Sequence, residues 1–155
     1  ASAVATFVGQ NYGAKNYDRI AKTYKIVLSN ILILGGIITV IFVFFPRPLY
    51  GIFFKDEKMI TLGISYLSIV GFSQLFMCAE ITTSGAFNGM GKTLQPTLIS
   101  IIFTSLRIPI ALILIPLLGL NGIWWSISLT SIAKGILVVI LFLMVLKKID
   151  VKETK

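Results

Sequence analysis

The sequence predicts an all-α, polytopic membrane bundle: four complete transmembrane helices preceded by the end of another. Three observations lead there. Four long apolar stretches fill most of the 155 residues, of which 56% are hydrophobic and only 13% charged. The mean hydropathy of +0.93 is too high for a water-soluble core, because a chain this short buries too little surface to hide so many apolar side chains. Three of the stretches also hold one isolated ionisable residue each, Glu80, Arg107 and Lys134, as expected of a membrane protein with a polar interior.

Along the chain, residues 1–8 read as the end of an earlier helix and 9–25 as a basic loop, so the chain is expected to be a piece of a longer protein. The first complete span, 26–45, carries no charge and is long enough for a hydrocarbon slab of roughly 30 Å at about 1.5 Å per residue. Pro46-Arg47-Pro48 breaks it, because proline lacks the amide hydrogen that a helix interior needs. The second span, 59–88, becomes more polar past Glu80 and closes on Gly85-Ala86-Phe87-Asn88-Gly89, a GxxxG spacing that permits close helix approach. Gly89, Gly91 and Pro96 then loosen or end the helix. The third span, 96–118, surrounds Arg107 and is interrupted by Pro109 and Pro116. The fourth, 122–146, surrounds Lys134, and 147–155 forms a basic tail.

Lys and Arg outnumber Asp and Glu by 14 to 6, and their positions decide what this charge does. Lys15, Arg19, Lys22, Lys25, Lys92, Lys147, Lys148, Lys152 and Lys155 fall on one side of an alternating topology. Arg47, Lys55 and Lys58 fall on the other, diluted by Asp56 and Glu57. The positive-inside rule then predicts a cytoplasmic N-terminal loop, Lys92 turn and C-terminal tail. Nucleic acid is not an expected partner, since it would want the charges on one folded face with interleaved aromatics; the tail is expected to meet lipid headgroups. Phe42, Phe44, Phe45, Tyr50, Phe53, Phe54, Trp124 and Trp125 gather at the opposite face, where aromatic rings suit the membrane interface.

Catalysis is not expected. With no His, and with the one cysteine, Cys78, inside a span, the sequence predicts neither a metal site nor a disulfide within the chain. The serine and threonine hydroxyls have no base to activate them. Gly91-Lys92-Thr93 ends like a phosphate-binding loop, but the glycine required five positions before Gly91 is Ala86.

Each ionisable residue lies on a polar stripe at helical spacing. Thr97, Ser100, Thr104 and Arg107 align in the third span, and Trp124, Ser128, Ser131 and Lys134 in the fourth. In the second, Ser73, Met77, Glu80 and Ser84 align, with Gln74 close by. The first span offers only Ser29, Asn30 and Thr39, on no common face, so it is expected to face lipid most while the other three enclose a polar region. Glu80 can bridge to Arg107 or to Lys134, and one carboxylate cannot neutralise both. Arg107 serves equally as a helix-packing residue bonded to carbonyls, and Lys134 as a structural ion pair. A carboxyl group in an enclosed cavity can take up and release a proton, which makes Glu80 the ion-coupling candidate; Gln74, Met77, Arg107 and Lys134 would line or brace the cavity.

Val8-Gly9-Gln10-Asn11-Tyr12-Gly13-Ala14, with Asn16 and Arg19, resembles the cytoplasmic-loop signature of the multidrug and toxic compound extrusion (MATE) family. Gly85 to Thr93 with Pro96 resembles that family's loop after the tenth helix, Arg107-Ile108-Pro109-Ile110-Ala111 its eleventh helix, and Gly119 to Trp124 the turn into its twelfth. The resemblance implies the last third of a twelve-helix, two-lobe transporter in the plasma membrane, both termini cytoplasmic, which expels cationic or amphipathic compounds in exchange for H+ or Na+. Implied partners are membrane lipids, a drug-like or metabolite substrate and the missing N-terminal lobe, with no cofactor beyond the coupling ion. Gly9, Gln10, Gly13, Gly85, Gly89, Gly91, Pro96 and Pro109 would be its structural motif residues. Some sodium-coupled members place an aspartate where this chain has Met77, which leaves the ion open. A lipid-linked oligosaccharide flippase of the same broad superfamily, with Arg107 and Lys134 attracting a pyrophosphate, and a non-transporting scaffold are the alternatives.

Overall fold

In a computed structural model of the protein, residues 2–153 are described, with side chains for 2–149. Among these residues every regular element is helical: α1 (Ser2–Gly13), α2 (Tyr17–Phe44), α3 (Pro46–Phe53), α4 (Glu57–Gly89), α5 (Leu94–Leu118) and α6 (Leu120–Glu153). Four of them, α2, α4, α5 and α6, are long and apolar enough to cross a membrane.

The breaks between helices have local causes. Phe45 ends α2 because Pro46 follows; with no amide hydrogen to lose, that proline opens α3 at its first position. Asp56 caps α4, its carboxylate accepting the Lys58 amide at 2.9 Å. Gly91 and Gly119 take φ of +69° and +58° after α4 and α5, a left-handed backbone that costs glycine nothing.

Three boundaries differ from those expected of the sequence. Residues 9–25, expected as a loop, are helical except for Ala14–Asn16, because Gly9 serves packing and not a turn: a Cβ there would lie 3.1 Å from the Gly89 carbonyl oxygen, where α1 crosses α4. Pro109 and Pro116 do not interrupt the third span; α5 runs through both, as membrane helices can when neighbouring groups satisfy the freed carbonyls. The tail expected from 147 continues α6 to Glu153, and the side chain of Lys152 and all of Lys155 lie outside the described residues.

In space the order is α2, α4, α6, α5. Helix α4 lies between α2 and α6, and α5 leans almost wholly on α6. The expectation that α2 faces lipid most holds for α2 and α5 alike, the two outer spans and equally the least buried. Gly35 and Gly71 let α2 and α4 close up, Thr39 donates to the Gly71 carbonyl at 3.0 Å, and the Tyr24 and Thr83 hydroxyls meet at 2.8 Å. Helix α5 likewise has a single main neighbour, which leaves Ile101, Leu112, Ile113 and Leu117 exposed. The buried core sits at the lysine-rich end, where Val8, Ile20, Tyr24, Phe87, Ile99 and Phe142 converge. There the Phe142 ring lies 4.4 Å from that of Tyr24 and 5.0 Å from that of Phe87, at the separations that ring quadrupoles favour.

Candidate functional site: a charged seam along α6

Helix α6 buries the polar residues of its middle turns. Ser126, Ser128, Thr130, Ser131 and Lys134 are all within a tenth of full burial. Ser126 and Thr130 turn back onto carbonyls of their own helix, as do Ser73, Thr82 and Thr83 in α4. Ser128 instead crosses to α4 and donates to the Ile69 carbonyl at 3.1 Å. Two turns further along, Gly135 brings the backbones together: a Cβ on it would lie 2.6 Å from the Phe76 carbonyl oxygen. That approach allows the neighbouring Lys134 to reach α4.

Lys134 Nζ lies 3.0 Å from Glu80 Oε1, with the two side chains 10% and 15% exposed. Of the two cations open to Glu80, the fold selects Lys134. Arg107 lies on the other side of α6, donating from Nε to Thr130 Oγ1 at 3.1 Å and from Nη2 to Ser131 Oγ at 3.0 Å. Its expected carbonyl acceptors are replaced by two hydroxyls, because adjacent residues on α6 diverge by about 100° and the guanidinium fork spans both. Among the described residues Arg107 has no carboxylate partner. Charged groups thus flank α6 on both sides, Glu80 of α4 on Lys134 and Arg107 of α5 on Thr130 and Ser131.

The expected enclosure of a polar region by the second, third and fourth spans is corrected: α4 and α5 scarcely meet, so the polar groups form two seams on either side of α6. The expected α4 stripe also divides. Glu80 enters the α6 seam and Ser73 is fully buried, whereas Gln74, Met77 and Ser84 share a helical stripe with exposed Ile81 and Asn88. Gln74 and Met77 are half-buried, on the face of α4 that the present helices leave open. Sequence reasoning missed Thr130, which falls outside the regular stripe, and Gly135, a lone glycine with no motif around it. The Tyr24–Thr83 and Ser128–Ile69 bonds likewise had no sequence signal beyond residue type. No group of acidic, histidine or cysteine residues capable of holding a metal occurs among the described residues.

The MatE family model matches residues 1–113, which include α1 to α4 and Arg107. The chain belongs to the MatE family. It is 29% identical over 144 residues to the probable multidrug resistance protein NorM of Thermotoga maritima, an alignment covering 91% of this chain and 31% of the relative. It is 25% identical over 125 residues to the probable multidrug resistance protein YoeA of Bacillus subtilis, covering 79% of this chain and 27% of the relative. The chain thus spans about a third of the length of these curated relatives. This MatE chain is a multi-pass membrane bundle, and within it Glu80 and Arg107 fall inside the family match while their α6 partners lie beyond residue 113.

Proposed function

We propose that this MatE chain is the C-terminal part of a secondary active antiporter, which exports cationic or amphipathic compounds in exchange for H+ or Na+. The reading includes a plasma-membrane location with the Lys15 turn and the α6 C-terminus on the cytoplasmic side. The names of the two relatives support the efflux class. The observation that carries the coupling role is the Glu80–Lys134 pair, 3.0 Å apart and enclosed between α4 and α6.

A proton or sodium ion arriving at Glu80 Oε1 competes with Lys134 Nζ for the same carboxylate. Loading frees the ammonium group and loosens α4 from α6, and unloading restores the pair. Alternating access needs two arrangements close in energy, which the ion and the substrate bias in opposite directions. Gln74 and Met77 lie on the open stripe of α4, where the other lobe would complete a cavity; the flexible thioether of Met77 adapts to varied apolar surfaces. A flippase would need Arg107 and Lys134 both free for a pyrophosphate, and the pairing of Lys134 with Glu80 weighs against it.

The test uses the full-length protein in proteoliposomes, with ethidium efflux driven by an imposed H+ or Na+ gradient. Glu80→Gln should remove most of the gradient-driven component while Glu80→Asp keeps part of it. Gradient-driven efflux undiminished in Glu80→Gln would remove Glu80 from the coupling step.

A further inference from the structure

The lysine-rich end of the bundle carries two clefts that include none of Glu80, Lys134 or Arg107, one on each side of the C-terminal part of α6. The first, of about 220 Å³, is lined by Lys25 and Lys147 but also by Asp18, whose carboxylate offsets their charge. The second, of about 260 Å³, lies between the α4–α5 turn and α6, lined among the described side chains by Lys92, Gln95, Val145, Lys148 and Ile149, none of them acidic. Neither Lys92 nor Lys148 has an ion-pair partner among the described residues.

The two walls of this second cleft differ in chemistry. The α4–α5 turn brings the Lys92 ammonium group and the Gln95 amide. Across from them, Val145, Lys148 and Ile149 recur at steps of three and one, which places all three on one face of α6. That face presents a cation flanked by two aliphatic side chains. Thr93, at the N-cap of α5, makes no side-chain capping bond, so the Leu94 and Gln95 amides keep their capacity for an anion at the same end, Pro96 having no amide hydrogen to offer.

We propose that this cleft binds the phosphate of an anionic phospholipid. Lys92 and Lys148 hold the phosphate between them, Gln95 donates to it, and Val145 and Ile149 receive the glycerol end of an acyl chain. Basic pockets between transmembrane helices suit such headgroups. A free phosphate ion shares the headgroup chemistry but leaves the aliphatic side of the cleft bare, which is why a lipid is the better occupant.

The experiment measures retention of phosphatidylglycerol by the full-length protein in mild detergent, by native mass spectrometry, with phosphatidylcholine as the neutral comparison. Lys92→Gln with Lys148→Gln should weaken phosphatidylglycerol binding by about 25-fold, roughly fivefold for each lysine, and leave phosphatidylcholine and the thermal midpoint unchanged. Lys15→Gln with Lys22→Gln, a pair that shares this end but lines neither cleft, should change retention little. Undiminished retention in the first double variant, or an equal loss in the second, would overturn the site, the latter because diffuse attraction would then explain binding. Displacement of phosphatidylglycerol by low-millimolar inorganic phosphate would assign the cleft to a soluble anion and overturn the lipid; resistance to it supports the proposal.

Discussion

Replacing Lys134 by methionine should destabilise the bundle by about 3–5 kcal/mol, because Glu80 is then left enclosed without its counterion. Burial, and not distance, sets that magnitude. The Arg47–Glu57 pair is nearly as short, 3.2 Å against 3.0 Å, but its side chains are 70% and 73% exposed where those of Lys134 and Glu80 are 10% and 15% exposed. Water and salt screen the first pair, so Arg47→Met should cost less than about 1 kcal/mol. Glu80→Gln with Lys134→Met removes both charges and should return to within about 1 kcal/mol of the parent, since the desolvation of two ions is avoided along with their attraction. Unfolding of the full-length protein in detergent, followed by intrinsic fluorescence for the parent, the two single variants and the double, closes the cycle. If Lys134→Met costs no more than Arg47→Met, or if the double variant is as unstable as the sum of the singles, the pair does not hold α4 to α6.

Gly135→Leu should cost about 1–3 kcal/mol in the same unfolding assay, because its Cβ would lie 2.6 Å from a backbone carbonyl that cannot rotate away. Gly36→Leu, whose nearest neighbour would be the Leu75 side chain at 3.8 Å, should change little. Thr130→Val with Ser131→Ala takes both acceptors from Arg107 and should cost about 1–3 kcal/mol; adding Arg107→Met should restore much of the loss by removing the unsatisfied donor.

The spans were legible because apolar runs of this length suit a hydrocarbon surrounding and little else, and the three isolated ions marked the elements that must turn inward. The pairing of those ions was only half legible. Sequence places α5 between α4 and α6, which makes Arg107 as good a neighbour for Glu80 as Lys134. Space puts α6 in the middle, and only Lys134 reaches. That exchange of neighbours follows from Gly135 against Phe76 and from Gly122 against Leu114, two close approaches that involve backbone atoms and therefore leave no pattern in the partner's residue type. Gly9 misled for a related reason: a glycine that ends a helix and one that admits a crossing helix look alike in a sequence. Met77, Gln74 and Glu80 could be placed on α4 by counting, but which of them faces α6 depends on where that neighbour lies.

The hydroxyls that fold back onto their own helices change what counts as polar in these spans. Ser73, Thr82 and Ser126 each carry their acceptor with them, three or four residues back, wherever the helix turns. Such a bond fixes no azimuth: hydrocarbon tolerates it as well as protein does. Rotation of α4, α5 and α6 about their axes is restrained instead by side chains whose partners sit on a different helix: Glu80, Arg107 and Lys134, and the hydroxyls of Ser128 and Thr83. A few cross-helix bonds thus set the facing of three membrane helices, and the hydroxyls bonded only within their own helix, Ser73, Thr82 and Ser126, are free to follow.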